Sequence, residues 1–100
     1  MDKNEVIKIL KQYKSLLETQ LHFEKMYLFG SYAKEENTEH SDIDVAIVAN
    51  NISGDFFAVN PLLWKLRRQI DDRIEPILID RCNDHAGFLD EIVKHGIVIE

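Results

Sequence analysis

The 100-residue chain has one cysteine, Cys82, so no intrachain disulfide can form and the single thiol fits a reducing compartment. No apolar run approaches the roughly 18–20 residues of a membrane span. Met1-Asp2-Lys3-Asn4-Glu5 lacks the basic and apolar regions of a secretion signal, so a cytoplasmic location is expected. Basic residues are also in deficit: 12 Lys and Arg stand against 18 Asp and Glu, a formal net charge of -6. That balance argues against nonspecific nucleic-acid binding, whose affinity grows with the cations set against phosphates. A small anionic ligand would need help, most simply from metal ions. No repeat, low-complexity tract or interdomain linker is visible. What remains is 45% hydrophobic and 30% charged, which predicts one globular domain over residues 1–100.

Val6, Ile7, Leu10, Leu17 and Leu21 recur at helical spacing, which predicts an amphipathic helix over 3–20. Lys25 to Phe29 reads as a buried strand stopped by Gly30-Ser31, with a short helix over 32–36. A polar stretch then leads into a second strand, Asp42 to Val48. Asn50, Asn51, Ser53 and Gly54 form a loop before a helix within Phe56 to Ile70, where Pro61 suggests a true start with Asn60 as N-cap. Ile74 to Ile79 is a third strand, and its Pro76 asks for an early or edge position. A last helix around Phe88, Ile92 and Val93 should end near Gly96, leaving Ile97-Val98-Ile99 as a closing strand.

The chemistry concentrates in Gly30-Ser31, ten intervening residues, and Asp42-Ile43-Asp44. Two carboxylates two apart in a strand share a face at about 6.5 Å along the backbone, and their repulsion calls for divalent cations. The competing reading caps the strand with Asp42 and leaves Asp44 solvated. A glycine between strand and helical turn lets backbone approach a ligand, while amides and the Ser31 hydroxyl donate to phosphate oxygens. Glu75 is the candidate third carboxylate, because parallel second and third strands would bring their starts to one edge. Its alternative is a surface pair with Arg73 or Arg81. Asp80, an odd step away, falls on the other face at the far end.

Leu28-Phe29-Gly30-Ser31-Tyr32-Ala33 with Ser41-Asp42-Ile43-Asp44 resembles the signature of the minimal nucleotidyltransferase (MNT) family, within the DNA polymerase beta-like nucleotidyltransferase superfamily. Arg73-Ile74-Glu75-Pro76 resembles its third acidic segment. Two departures stand out: Lys34-Glu35 occupies the place of a usual Arg-Gly pair, and Glu75 that of a common aspartate. The resemblance implies an α/β fold of α+β type, a small mixed sheet flanked by helices as in the polymerase beta palm. It also implies ATP as substrate and two Mg2+ ions. Gly30 and Ser31 would hold the triphosphate, Asp42 and Asp44 both metals, and Glu75 the metal that activates an acceptor hydroxyl. It further implies an antitoxin that adenylylates a helical HEPN-type ribonuclease toxin.

Elsewhere the bland readings lead. Cys82 reads as a core or loop thiol. His22, His40, His85 and His95 lack metal-ligand spacing, and Arg67 and Arg68 read as a solvated helix face ahead of the alternative, a reach to a phosphate or a partner. Trp64, Phe56 and Phe57 read as core or an oligomer face. A chain this short leaves no room for an acceptor-binding domain, so the acceptor brings its own surface or the chain forms a homo-oligomer. The rival function is a noncatalytic module that neutralises a toxin by steric contact; retention of all three acids favours the enzyme.

Overall fold

A computed structural model describes residues 2–38, 40–50, 56–83 and 87–100. Helix α1 (Lys3–Glu18) starts where Asp2 Oδ1 accepts the Glu5 N–H at 2.8 Å, a side-chain cap for one of the helix's free donors. Its Val6, Leu10, Tyr13 and Leu17 form one fully buried stripe. Strands β1 (Lys25–Phe29), β2 (Ile43–Ala49), β3 (Ile74–Asp80) and β4 (Ile97–Ile99) make one mixed sheet in the order β3-β2-β1-β4. β1 runs antiparallel to β2 and β4, whereas β2 and β3 are parallel and joined through helix α2 (Phe56–Arg67). The parallel pair is the one expected, and Pro76 does lie in an edge strand, where a missing N–H costs no ladder bond on the open side.

Side-chain alternation divides the sheet into two unequal faces. Met26, Leu28, Ile43, Val45, Ile47, Ile74 and Leu78 pack against α1 and α2 in the larger core. Tyr27, Ala46, Val48 and Ile79 turn the other way and, among the described residues, form a smaller cluster with Leu89 and Ile92 of helix α3 (Phe88–His95), against which Phe29 packs. Eight residues of helix cannot cover four strands, so among the described residues one end of this second face stays open, with Ile77 38% exposed. By the same alternation, Asp44 and Glu75 lie on that face.

Four local expectations are corrected. Residues 30–36 form a turn rather than a helix: Lys34 N–H donates to Gly30 O at 3.1 Å and Glu36 N–H to Ser31 O at 2.8 Å, and Glu35 at φ +60° ends the winding. Asn60 is no N-cap, because α2 begins at Phe56 and carries Pro61 inside it. The proline forfeits one backbone bond and keeps its ring exposed, while buried Leu63 and Leu66 hold the helix to the core. α2 also stops at Arg67, short of Ile70. Asp42 precedes β2 instead of belonging to it. The predicted loop at Asn51 to Gly54, the side chains of Phe56 and Phe57, and His85 lie outside the described residues. Among the described residues no helix is long and apolar enough to cross a membrane.

Candidate functional site

The C-terminal end of β1, the N-terminal end of β2 and the N-terminal end of β3 meet at one corner of the open face. The register sets Phe29 opposite Asp44 across the antiparallel pair and Asp44 opposite Glu75 across the parallel pair. The Ile43 N–H donates to Arg73 O at 2.8 Å, tying the entry of β2 to that of β3 beside Asp42 and Glu75. Asp71 in turn pins Arg73: its Oδ1 accepts the Arg73 backbone N–H at 2.9 Å and Nε at 3.0 Å, and its Oδ2 accepts Nη2 at 2.7 Å.

Asp42, Asp44 and Glu75 are thus brought together, as expected from the sequence, and the charges of Asp42 and Asp44 act on Glu75. Loss of water is the main reason the Glu75 carboxyl titrates above its ordinary range. The Asp42 charge, a hydrogen bond with Asp42 and the Asp44 charge raise it further, and Arg67 opposes them. Asp44 is also raised, first by burial and then by Asp42. Among the described residues none of the three carboxylates forms an ion pair. The two arginines that could have neutralised Glu75 on the surface are engaged elsewhere, Arg73 with Asp71 and Arg81 with Glu24. Asp80 lies opposite Ala49 at the far end of β3 and accepts the Cys82 N–H.

Gly30 closes the corner. At φ +76° it adopts a backbone that side chains rarely tolerate, and a Cβ there would overlap Asp44 Oδ2 and stand 3.1 Å from its Cγ. Tyr32, 1% exposed, anchors the following turn in the large core and leaves Ser31 at the surface side. The Ser31, Tyr32 and Ala33 N–H groups donate to no backbone carbonyl among the described residues, so the turn offers donors beside the acids. Glu35, where the resembled family has glycine, holds the left-handed conformation and pairs with Lys3 at 2.9 Å. A residue with a side chain therefore holds a left-handed position in this turn.

Arg67 is the participant that sequence reading missed. Its Nη1 donates to the carbonyls of Asp72 and Ile74, the latter at 3.2 Å, its guanidinium lies 4.7 Å from the Trp64 ring centroid, and its buried Nε has no partner among the described residues. It braces the backbone immediately before Glu75. Helical spacing around Arg67 carries no signal of this, because the bonds run to a turn beyond the helix end. Cys82 is exposed, its Sγ 2.8 Å from Asn50 Oδ1. His40 is exposed as well.

The donor set of the corner is all carboxylate oxygen, which suits hard divalent cations. Among the described residues no three His, Cys, Asp or Glu close into a ready-made metal cage.

Residues 4–100 match the family described as "Polymerase beta, Nucleotidyltransferase". The "Putative protein adenylyltransferase MJ0141" of Methanocaldococcus jannaschii is 27% identical over 99 residues, covering 95% of this chain and 99% of that protein. A second protein of that organism, "Putative protein adenylyltransferase MJ1379", is 41% identical over 44 residues, 44% of each chain. In three dimensions the chain is similar to the crystal structure of a "putative nucleotidyltransferase" from Sulfolobus solfataricus. The TM-score is 0.67 at 23% identity, over 96% of this chain and 80% of the other, a likeness of fold.

Proposed function

The chain belongs to the Polymerase beta, Nucleotidyltransferase family, and from that premise we propose that it moves AMP from ATP to a hydroxyl of a partner protein. The observation that carries the reading is the convergence of Asp42, Asp44 and Glu75 beside the Gly30-Ser31 turn, on the sheet face that α3 leaves open. Protein adenylylation is favoured over other transfers by the names of the relatives.

In this reading the backbone N–H groups after Gly30 and the Ser31 hydroxyl hold the triphosphate, and Gly30, lacking a Cβ, lets the Asp44 carboxylate stand against that turn. Two Mg2+ ions held by Asp42, Asp44 and Glu75 would neutralise the phosphates and lower the pKa of the acceptor hydroxyl. An open carboxylate corner suits them, because Mg2+ commonly takes one or two carboxylates and completes its shell with phosphate oxygens and water. The acceptor oxygen attacks the α-phosphorus in line, its bond to phosphorus forms as the α–β bridging bond breaks, pyrophosphate leaves, and the hydroxyl proton passes to solvent. Positioning and charge neutralisation carry most of the rate in such transfers.

The proposed acceptor is a HEPN-type toxin, on the strength of the family resemblance, with the chain acting as its antitoxin. Co-expression with the protein encoded beside it, followed by mass spectrometry, tests this. A complex whose partner gains one AMP on a hydroxyl side chain is expected, and Asp42→Asn with Asp44→Asn should abolish both the adduct and Mg2+-dependent ATP binding. A partner that is inhibited yet never modified, with ATP and Mg2+ supplied, would establish steric neutralisation instead.

A further inference from the structure

A pocket of about 250 Å3 opens between the Gly30 turn and α3, lined by Phe29, Gly30, Lys34, Phe88, Glu91, Ile92, His95 and Gly96. Resting on the reading that a nucleoside triphosphate is the substrate, we infer that this pocket receives its nucleobase, and that the preferred base carries an exocyclic amino group.

Position is the first argument. Gly30 belongs both to the pocket wall and to the acidic corner, and Phe29 stands opposite Asp44, so phosphates held at the corner have the pocket beside them. Size is the second: the volume falls below the about 300–1,000 Å3 of sites that enclose a whole drug-sized ligand, and suits one flat part of a nucleotide. Construction is the third. Phe88, Glu91, Ile92 and His95 follow the i, i+3, i+4, i+7 spacing of one helix stripe. The end of that helix is drawn tightly against β1, since a Cβ on Gly96 would meet Leu28 O at 2.9 Å and Ile92 O at 2.5 Å.

The lining has the chemistry of a base site. Phe88 packs edge-on with Phe29, ring centroids 5.8 Å apart at 90°, yet remains 40% exposed, an apolar ring that a stacked base would cover. Glu91 is an acceptor on the rim, 3.7 Å from His95 Nε2, and a carboxylate there can accept from the amino group of adenine, which uracil lacks. Lys34, the cation on the rim, provides the rival occupant: a phosphate tail.

Calorimetric titration of the full chain in Mg2+ with ATP, UTP and inorganic tripolyphosphate separates these. Phe88→Ala should weaken ATP by about tenfold, as loss of one base–aromatic stack does, and leave tripolyphosphate unchanged. Phe88→Leu, which keeps the apolar bulk, should bind ATP as weakly as the alanine variant, and Glu91→Gln should narrow the preference for ATP over UTP. Unchanged ATP affinity in Phe88→Ala, or a parallel loss of tripolyphosphate, overturns the base assignment while leaving the transferase reading intact. A wild-type chain that binds neither ATP nor tripolyphosphate removes that reading itself, and the inference with it.

Discussion

Gly30 and Asp44 share one space: the position a side-chain carbon would take on Gly30 is occupied by the Asp44 carboxylate. The strand-ending turn and the acidic strand are therefore in direct contact, and glycine is required twice over, for its φ of +76° and for the absent Cβ.

Gly30→Ala should accordingly displace Asp44 as well as strain the backbone. The expected result is a loss of Mg2+-dependent ATP binding of tenfold or more, with a stability cost of about 1 kcal/mol or above. Gly87→Ala is the matched control. Gly87 also has positive φ, +67°, but among the described residues nothing lies within 4 Å of its would-be Cβ, so only the strain should appear. Calorimetry and thermal melts read the two effects separately, and equal binding loss in both variants would refute the contact argument.

Glu75→Gln should lower nucleotidyl transfer by on the order of a hundredfold, because the charge that would hold the activating metal is gone. Glu75→Asp should retain partial activity, and Asp80→Asn, at the far end of β3, should be nearly silent. The same Gln variant should melt higher than wild type at pH 7. The folded-state pKa of Glu75 is raised, so ionising it costs stability above that value. As pH falls below the ordinary carboxylate value of about 4.3, both forms are neutral and the advantage should vanish. A Glu75→Gln protein less stable than wild type at pH 7 would contradict the electrostatic account.

Asp71 carries the opposite sign. The Arg73 guanidinium, chiefly through its hydrogen bonds, holds the Asp71 carboxyl below its usual range, so this group stabilises the fold above about pH 3.9 and the benefit is lost as pH falls through the depressed folded value. Asp71→Asn should cost about 1–2 kcal/mol at pH 7, and the cost should shrink as pH is lowered below the ordinary carboxylate value, by denaturant unfolding across that range. Because the Asp71–Arg73 turn leads into Glu75, the variant should also slow transfer more than it weakens ATP binding.

Most of the architecture and the three acids were legible in the linear sequence. Alternation in β1 and β2, the apolar stripe of α1 and the Gly30-Ser31 to Asp42-Ile43-Asp44 spacing are local patterns, set by backbone periodicity and turn chemistry. Parallel pairing of β2 with β3 was permitted by the length of the crossover, and the register bears it out with Glu75 opposite Asp44. What only the tertiary structure decided depends on groups distant along the chain. Arg67 reads as a solvated cation until the turn after α2 places the Asp72 and Ile74 carbonyls in its reach. Pro61 reads as a helix start until burial of Leu63 and Leu66 outweighs one missing backbone bond. Among the described residues the acidic corner lies beyond the part of its sheet face that the short α3 covers, and α3 with the Gly30 turn walls the Phe29–Phe88 pocket; such coverage is a property of packed volumes that no residue spacing encodes.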